Sequence, residues 1–161
     1  MTVHLPTDPA VTTPGLASAA RTASPSAGIY RHSMTICLKD SNAYGNTYFC
    51  RYFEWQGVCR ERWFHDCIDP DMLQAEGVLI TRRAEHEFEQ ETFPFDHIDC
   101  ELQVAQLRRC SLWLEFRFFS GGRQVGQGRQ QIVFANHARQ ITAFPAHVVD
   151  KMRRYATRGG A

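Results

Sequence analysis

The 161-residue sequence lacks the features that mark several specialised classes of protein. It contains no apolar run of about 18 residues, the length that a membrane-spanning helix requires. It also lacks an excess of charge of one sign, because 18 Lys and Arg residues and 17 Asp and Glu residues give a net charge of +1. Nucleic-acid and membrane-surface binders usually carry a clear basic excess, so we expect neither a nucleic acid nor a membrane as partner.

Paired cysteine motifs are missing as well. The six cysteines include no C-x-x-C pair and no finger-type arrangement with histidine, which argues against a zinc site. The sequence has no basic start followed by an apolar stretch, which is the pattern of a secretory signal. An even number of cysteines in a chain of this length predicts reduced core thiols in a cytoplasmic protein. No motif indicates a cofactor or a metal.

The first 28 residues differ in composition from the remainder of the chain. They contain four of the seven prolines and no aromatic residue. Such a segment buries too little apolar surface to offset the entropy lost on ordering. We therefore predict a disordered tail over 1–28 and a single folded domain over 29–157.

The pattern of the remaining residues predicts one long helix followed by strands. Aromatic and apolar residues at helical spacing predict a helix from Thr47 to about His65, capped by Asn46 or Thr47. A first strand is predicted over Tyr30–Leu38 and a short final helix over Ala146–Tyr155. Alternating apolar residues predict further strands, and Ser120–Arg123 indicates a hairpin turn. These strands are predicted at 78–89, around 98–104 and 112–119, and over 125–144 as one long strand or a bent pair.

This order of elements predicts an α+β architecture, with one long central helix wrapped by a curved antiparallel sheet of about five strands. Gly57 within the helix is either tolerated or required by the close approach of another backbone or a ligand. Gly126 and Gly128 follow the hairpin, but they are followed by neither the Lys-Ser/Thr pair nor the helix of a phosphate-binding loop. A bulge explains these two glycines better.

Two segments carry a family resemblance. They are D-x-N-x-x-G-N-x-Y-F over 40–49 and W-Q-G-x-C-R-E over 55–61. Both resemble the hot-dog fold thioesterases of the 4-hydroxybenzoyl-CoA thioesterase superfamily. They are more similar to the thioesterases of enediyne polyketide biosynthesis than to the CoA-directed enzymes. The resemblance extends over about Tyr30 to Tyr155 and implies a hot-dog fold and dimers that share a continuous sheet. It also implies a homotetramer, a dimer of dimers.

The same resemblance implies the catalytic residues. In the CoA-directed enzyme the loop supplies an Asp that acts as nucleophile or base, and the matching residue here is Asn42. The enediyne-type enzymes also have Asn at this position and pair it with a helix Arg, which matches Arg60. Glu61 is a second base candidate, because another hot-dog subclass uses a helix Glu. Asp40 is expected to cap the loop.

Thioester hydrolysis requires a stabilised oxyanion, an oriented water and a leaving thiolate. The start of the helix offers N–H groups and a positive dipole end for a carbonyl oxygen. Arg60 is expected to stabilise negative charge on the tetrahedral intermediate or on a β-keto group. Without a nearby carboxylate, turnover is expected to be slower by about 10²–10⁴-fold. The expected oxyanion and substrate-binding residues are Tyr44, Gly45, Asn46, Phe49 and Tyr52.

The spacing of the two catalytic candidates has a geometric consequence. If the helix begins near Thr47, Arg60 lies 13 residues further on, which is about 20 Å at 1.5 Å per residue. The two side chains do not close that gap from a short loop. We therefore expect each site to combine Asn42 of one chain with Arg60 of another across a two-fold axis.

These observations predict a thioesterase that releases a polyketide-type chain, polyene or β-ketoacyl, from an acyl carrier protein domain of a polyketide synthase. One alternative is an acyl-CoA thioesterase of general metabolism, although the lack of Asp at position 42 counts against it. Another is a non-catalytic acyl-binding hot-dog protein, which the missing carboxylate makes credible. A hot-dog dehydratase is disfavoured, because no histidine lies between His32 and His65.

Overall fold

The computed structural model describes residues 28–157 of the chain. The tail predicted over 1–28 lies outside the described residues except for Gly28. A 3₁₀ turn at Leu38–Asp40 precedes the long helix, and a π-helical turn at Phe64–Ile68 extends it. In chain order the remaining elements are β1 (Tyr30–Thr35), α1 (Cys50–Trp63), α2 (Met72–Ala75), β2 (Val78–Phe88), β3 (His97–Leu107), β4 (Ser111–Ser120), β5 (Arg123–Ala135) and α3 (Ala146–Arg153).

The five strands form one antiparallel sheet in the order β1-β3-β4-β5-β2, so that β1 and β2 are its edges. The pairs Tyr30↔Leu102, Leu114↔Gln130 and His86↔Gly128 fix the register. Register shifts in three of the four strand pairs mark bulges, which bend the strands and increase their twist. The curved sheet wraps α1, as the order of elements predicted.

The core lies between α1 and the inner face of the sheet. Alternate residues of β3 and β4 point inward and are almost completely buried, which confirms the predicted alternation. From the helix, Tyr52, Trp55, Gln56, Cys59 and Trp63 are buried against them. The inward residues of the two strands are Ile98, Cys100, Leu102, Val104, Leu112, Leu114, Phe116 and Phe118.

Two glycines in β5 leave room for neighbouring side chains, Gln56 of α1 at Gly128 and His86 of the adjacent strand β2 at Gly126. A Cβ atom on Gly128 would lie 2.1 Å from Nε2 of Gln56, and one on Gly126 would lie 2.7 Å from Nε2 of His86. The bulge between β4 and β5 lies at Val125, whereas Gly126 and Gly128 pair regularly with Phe118 and Phe116, so the prediction that a bulge explains these two glycines is wrong. Gly57, in contrast, has no atom within 4 Å of such a Cβ, so nothing among the described residues requires glycine there.

Some predicted boundaries are wrong. The helix begins at Cys50 rather than Thr47, and no side chain caps it. Residues before it are held by tertiary contacts instead: the N–H of Thr47 donates to the Thr92 carbonyl and that of Tyr48 to the Asp40 carbonyl. The final strand ends at Ala135, since the chain then turns back and pairs Ala135 with Ile141. None of the described helices is long and apolar enough to cross a membrane.

Candidate active site

The loop before α1 folds into a compact turn around Asn42. The backbone N–H of Asn42 donates to the carbonyl of Asn46 at 2.9 Å, and the N–H of Gly45 donates back to the carbonyl of Asn42 at 3.0 Å. Gly45 has φ +85°, a conformation that favours glycine. The buried Asp40 carboxylate accepts the N–H of Cys37 at 2.8 Å, which confirms that Asp40 caps the loop.

The Asn42 side chain is oriented by the same turn. Its Oδ1 accepts the backbone N–H of Tyr44 at 2.8 Å, the arrangement of an Asx turn. This bond identifies the carbonyl end of the amide and leaves the NH₂ end without a partner among the described residues. Asn42 therefore presents a hydrogen-bond donor, which can bind an oxyanion but cannot act as a base.

Further hydrogen-bond donors are the backbone N–H groups between Asn42 and the start of α1. The N–H groups of Gly45, Thr47 and Tyr48 are all engaged by carbonyl groups. In the described part of the chain, those of Phe49 and Cys50 have no acceptor. The first turn of a helix carries such free N–H groups together with the positive end of the helix dipole. A substrate carbonyl can be bound there.

A chain of hydroxyl groups fastens the loop after β2 to the start of the helix. The Thr47 hydroxyl lies 2.8 Å from that of Thr92, which lies 2.9 Å from the hydroxyl of Tyr52. Thr92 is buried, and burial raises the pKa of Tyr52 above its ordinary value. The hydroxyl of Tyr52, expected to bind substrate, is thus used to hold the loop.

A cleft of about 360 Å³ lies between the helix start and the end of β2, beside these hydroxyl groups. Its walls combine the amides of Asn42 and Asn46 with aromatic side chains. The Nδ2 of Asn46 donates to Oε1 of Glu91 at 2.7 Å, which brings a carboxylate into the cleft. Sequence reasoning missed Glu91, because the pairing spans 45 residues and no local pattern indicates it. The aromatic residues in the walls are Tyr48, Phe49, Tyr52 and Phe88.

Arg60 lies in a different setting, towards the other end of α1. Its Nη1 donates to the Thr81 hydroxyl at 2.7 Å and to Oε1 of Gln130 at 2.8 Å. Only 13% of its side chain is exposed, and burial lowers the pKa of the guanidinium. Its nearest carboxylate is that of the exposed Glu61, 3.7 Å away. A guanidinium held by neutral groups, with little charge compensation, attracts an anion.

One chain does not bring Asn42 and Arg60 together. Arg60 and Glu61 line a second cleft of about 440 Å³ with Phe64, His65 and residues of β2, whereas Asn42 lines the first. Of the other expected binding residues, Tyr44 is 93% exposed, and the exposed ring of Phe49 packs against that of Tyr48 with 4.8 Å between the ring centroids. Among the described residues no group of three or more His, Cys, Asp or Glu residues has the arrangement of a metal site.

Comparison with known proteins identifies the class. The sequence model of the thioesterase-like superfamily matches residues 37–152, so the chain belongs to that superfamily. The predicted enzyme class, a thioester hydrolase, is confirmed at this level. A search of curated protein sequences gave no match.

Solved structures confirm the hot-dog fold. The dynemicin thioesterase, whose structures concern polyene binding, is 24% identical with a TM-score of 0.72, and the match covers 81% of this chain and 98% of that one. The gentisyl-coenzyme A thioesterase BH1999 is 18% identical with a TM-score of 0.71, covering 76% and 99%. The 1,4-dihydroxy-2-naphthoyl-CoA thioesterase Slr0204 from Synechocystis is 13% identical with a TM-score of 0.70, covering 78% and 96%. All three share the fold of this chain.

Proposed function

We propose that this member of the thioesterase-like superfamily hydrolyses a polyketide-type acyl thioester, polyene or β-ketoacyl, carried by an acyl carrier protein domain of a polyketide synthase. The observation that carries the proposal is that Asn42, whose NH₂ group is free among the described residues, lines one cleft with Phe49, and that the N–H groups of Phe49 and the adjacent Cys50 have no acceptor in that part of the chain. In this proposal these donors bind one carbonyl oxygen and stabilise the oxyanion of a thioester under attack. Such an arrangement supports acyl transfer without a carboxylate nucleophile at position 42.

The aromatic walls of the first cleft support an extended apolar acyl chain as substrate. Tyr48, Phe49 and Phe88 keep exposed ring surface there, and aromatic rings bind flat conjugated chains through large contact areas. The 24% identical dynemicin thioesterase, which binds polyenes, is consistent with this substrate class.

The complete site requires a second copy of the chain in this proposal. Because Asn42 and Arg60 line different clefts of one chain, each site would combine Asn42 of one protomer with Arg60 of the partner. In such a site the Arg60 guanidinium, whose positive charge has little compensation within its own chain, would stabilise the negative charge that develops on the tetrahedral intermediate or on a β-keto oxygen. A homotetramer, a dimer of two such dimers, is the assembly that we propose.

Complementation tests the shared site. N42A and R60A are each expected to lose about 10²–10³-fold in kcat, the usual cost of one oxyanion-stabilising group. After subunit exchange between equal amounts of the two variants, about a quarter of the sites regain both residues, if chains assort randomly into dimers with two sites each. A mixture that stays inactive, although mass spectrometry of differently labelled chains confirms exchange, would refute the shared site.

The carrier is tested by comparing the same β-ketoacyl group on an acyl carrier protein and on coenzyme A. We expect a higher kcat/KM with the carrier protein. A higher kcat/KM with coenzyme A would favour a general acyl-CoA thioesterase, for which BH1999 and Slr0204 are structural parallels. Binding of both thioesters without turnover would indicate a non-catalytic acyl-binding protein.

A further inference from the structure

The first cleft contains a carboxylate that neither of the catalytic positions expected from the sequence supplies. Asn42 replaces the Asp expected of a CoA-directed enzyme, and Glu61 is exposed beside Arg60 in the second cleft. Glu91, from the loop after β2, lies in the wall of the first cleft, in contact with Asn46 at 2.7 Å. The turn also ties Asn46 to Asn42, because the Asn42 N–H donates to the Asn46 carbonyl.

Hydrogen bonds of the next residue hold the backbone at Glu91 in place, although the Glu91 side chain is exposed to solvent. The next residue, Thr92, is buried, and its carbonyl accepts both the N–H and the hydroxyl of Thr47, at 2.8 and 3.0 Å. Its own hydroxyl is shared between Thr47 and Tyr52. The backbone of the loop therefore cannot shift relative to the helix start without breaking several hydrogen bonds, and a reactive group on such a support keeps its geometry.

The carboxylate of Glu91 has no cationic partner among the described residues. Its only hydrogen-bond partner in the described residues is the Asn46 amide, and no Arg, Lys or His forms an ion pair with it there. Glu89, which lines the same cleft, instead accepts a hydrogen bond from Gln124 of β5. Glu91 is thus the carboxylate in the cleft that faces the amides of the loop.

We propose that Glu91 is the general base of the thioester hydrolysis, an assignment that rests on the proposed function. Glu91 removes a proton from water while the water oxygen forms a bond to the thioester carbonyl carbon. The carbonyl electron pair moves onto the oxygen held by Asn42 and the helix N–H groups. When the tetrahedral intermediate collapses, the C–S bond breaks and the thiolate takes the proton from Glu91. One thioester and one water give one carboxylic acid and one thiol.

The variant E91Q tests the assignment with little structural disturbance. The glutamine amide oxygen can still accept the hydrogen bond from Asn46, whereas it cannot take a proton. With a β-ketoacyl N-acetylcysteamine thioester as the probe, we expect kcat for hydrolysis to fall at least 100-fold, within the usual range of general-base catalysis of about 10²–10⁴. A decrease smaller than 10-fold would overturn the proposal.

A matched control is E87Q. Glu87 also accepts one amide hydrogen bond, from Gln127 at 2.8 Å, but it does not line the first cleft. We expect E87Q to hydrolyse the probe within about 2-fold of the wild-type rate. A loss in E87Q as large as in E91Q would show that removing any carboxylate of this strand and loop impairs the enzyme, and would overturn the assignment of Glu91.

A reaction with hydroxylamine distinguishes a variant that has lost only the general base from one whose whole active site is damaged. Hydroxylamine attacks thioesters as a neutral nucleophile that needs no proton removed beforehand, and it yields a hydroxamate. We expect E91Q to form hydroxamate within about 3-fold of wild type while its hydrolysis fails. Equal losses in both reactions would overturn the role as base. If the wild-type chain itself does not hydrolyse the thioester, the proposed function fails as well; if wild type and E91Q hydrolyse it equally, only the assignment of Glu91 fails.

Discussion

Replacing Gly128 by alanine should push the helix away from the sheet, because Gln56 of α1 occupies the space that the new Cβ needs. The new Cβ would lie 2.1 Å from Nε2 and 2.8 Å from Cδ of Gln56, and 2.9 Å from the carbonyl oxygen of Glu85. Gln56 has no exposed surface, and its Nε2 donates to that same carbonyl at 3.2 Å. Neither the amide nor the strand backbone has free space to move into.

The cost has two parts. Overpacking a closed core costs about 1–3 kcal/mol, and displacing Gln56 weakens a buried hydrogen bond that contributes about 0.5–1.5 kcal/mol. A loss of about 2–4 kcal/mol corresponds to a decrease in Tm of about 6–15 °C for a domain of this size. Thermal unfolding followed by circular dichroism measures it.

The double variant Q56A/G128A is the control for this explanation. If the steric contact with Gln56 causes the loss, the second substitution removes the obstacle, and the two changes should cost less together than the sum of their separate effects. G57A should leave Tm unchanged or raise it, because its Cβ meets no atom within 4 Å and helix interiors favour alanine. A G128A protein with a wild-type Tm would refute the close packing.

Two further predictions concern stability. Burial lowers the pKa of His86 to about 4, so the unfolded chain binds a proton that the folded one does not, and stability should fall as pH decreases from about 6.5 to about 4. Urea midpoints at several pH values measure this, and an unchanged pH dependence in H86Q would contradict it. D40A should lose about 1–3 kcal/mol, because the part-buried N–H of Cys37 loses its charged acceptor; a wild-type Tm for D40A would contradict that expectation.

The parts of the fold that follow from local patterns were predictable from the sequence. Alternation in β3 and β4 identified their buried residues, because burial on one face of a strand needs only a period of two. The glycine pair before Arg123 identified the hairpin, since Gly121 and Gly122 both adopt positive φ. Each signal is contained within a few neighbouring residues.

Features created by distant contacts were not predictable. Asn46 and Thr47 have the side chains of helix caps, but Glu91 and Thr92 bind those side chains instead, and the helix begins later. The same pairing brings the carboxylate of Glu91 to the amide loop across 45 residues. Tertiary competition for the side chains thus changed both the boundary of the helix and the composition of the candidate site.

The variant N42D distinguishes a donor at position 42 from a nucleophile or base. Aspartate keeps the acceptor oxygen that binds the Tyr44 N–H, so the turn and the Tm should be almost unchanged. It replaces the free NH₂ group by a second carboxylate oxygen, which offers no hydrogen and repels the oxyanion.

We therefore expect kcat of N42D to fall by about 10²–10³-fold, the usual cost of losing one oxyanion donor, although the change restores the carboxylate of the CoA-directed enzymes. The measurement is hydrolysis of the β-ketoacyl N-acetylcysteamine thioester, with Tm recorded on the same sample. A catalytic carboxylate at position 42 would instead raise kcat, because a base contributes about 10²–10⁴-fold. An N42D enzyme as fast as wild type or faster would show that the asparagine donor is not what this site uses.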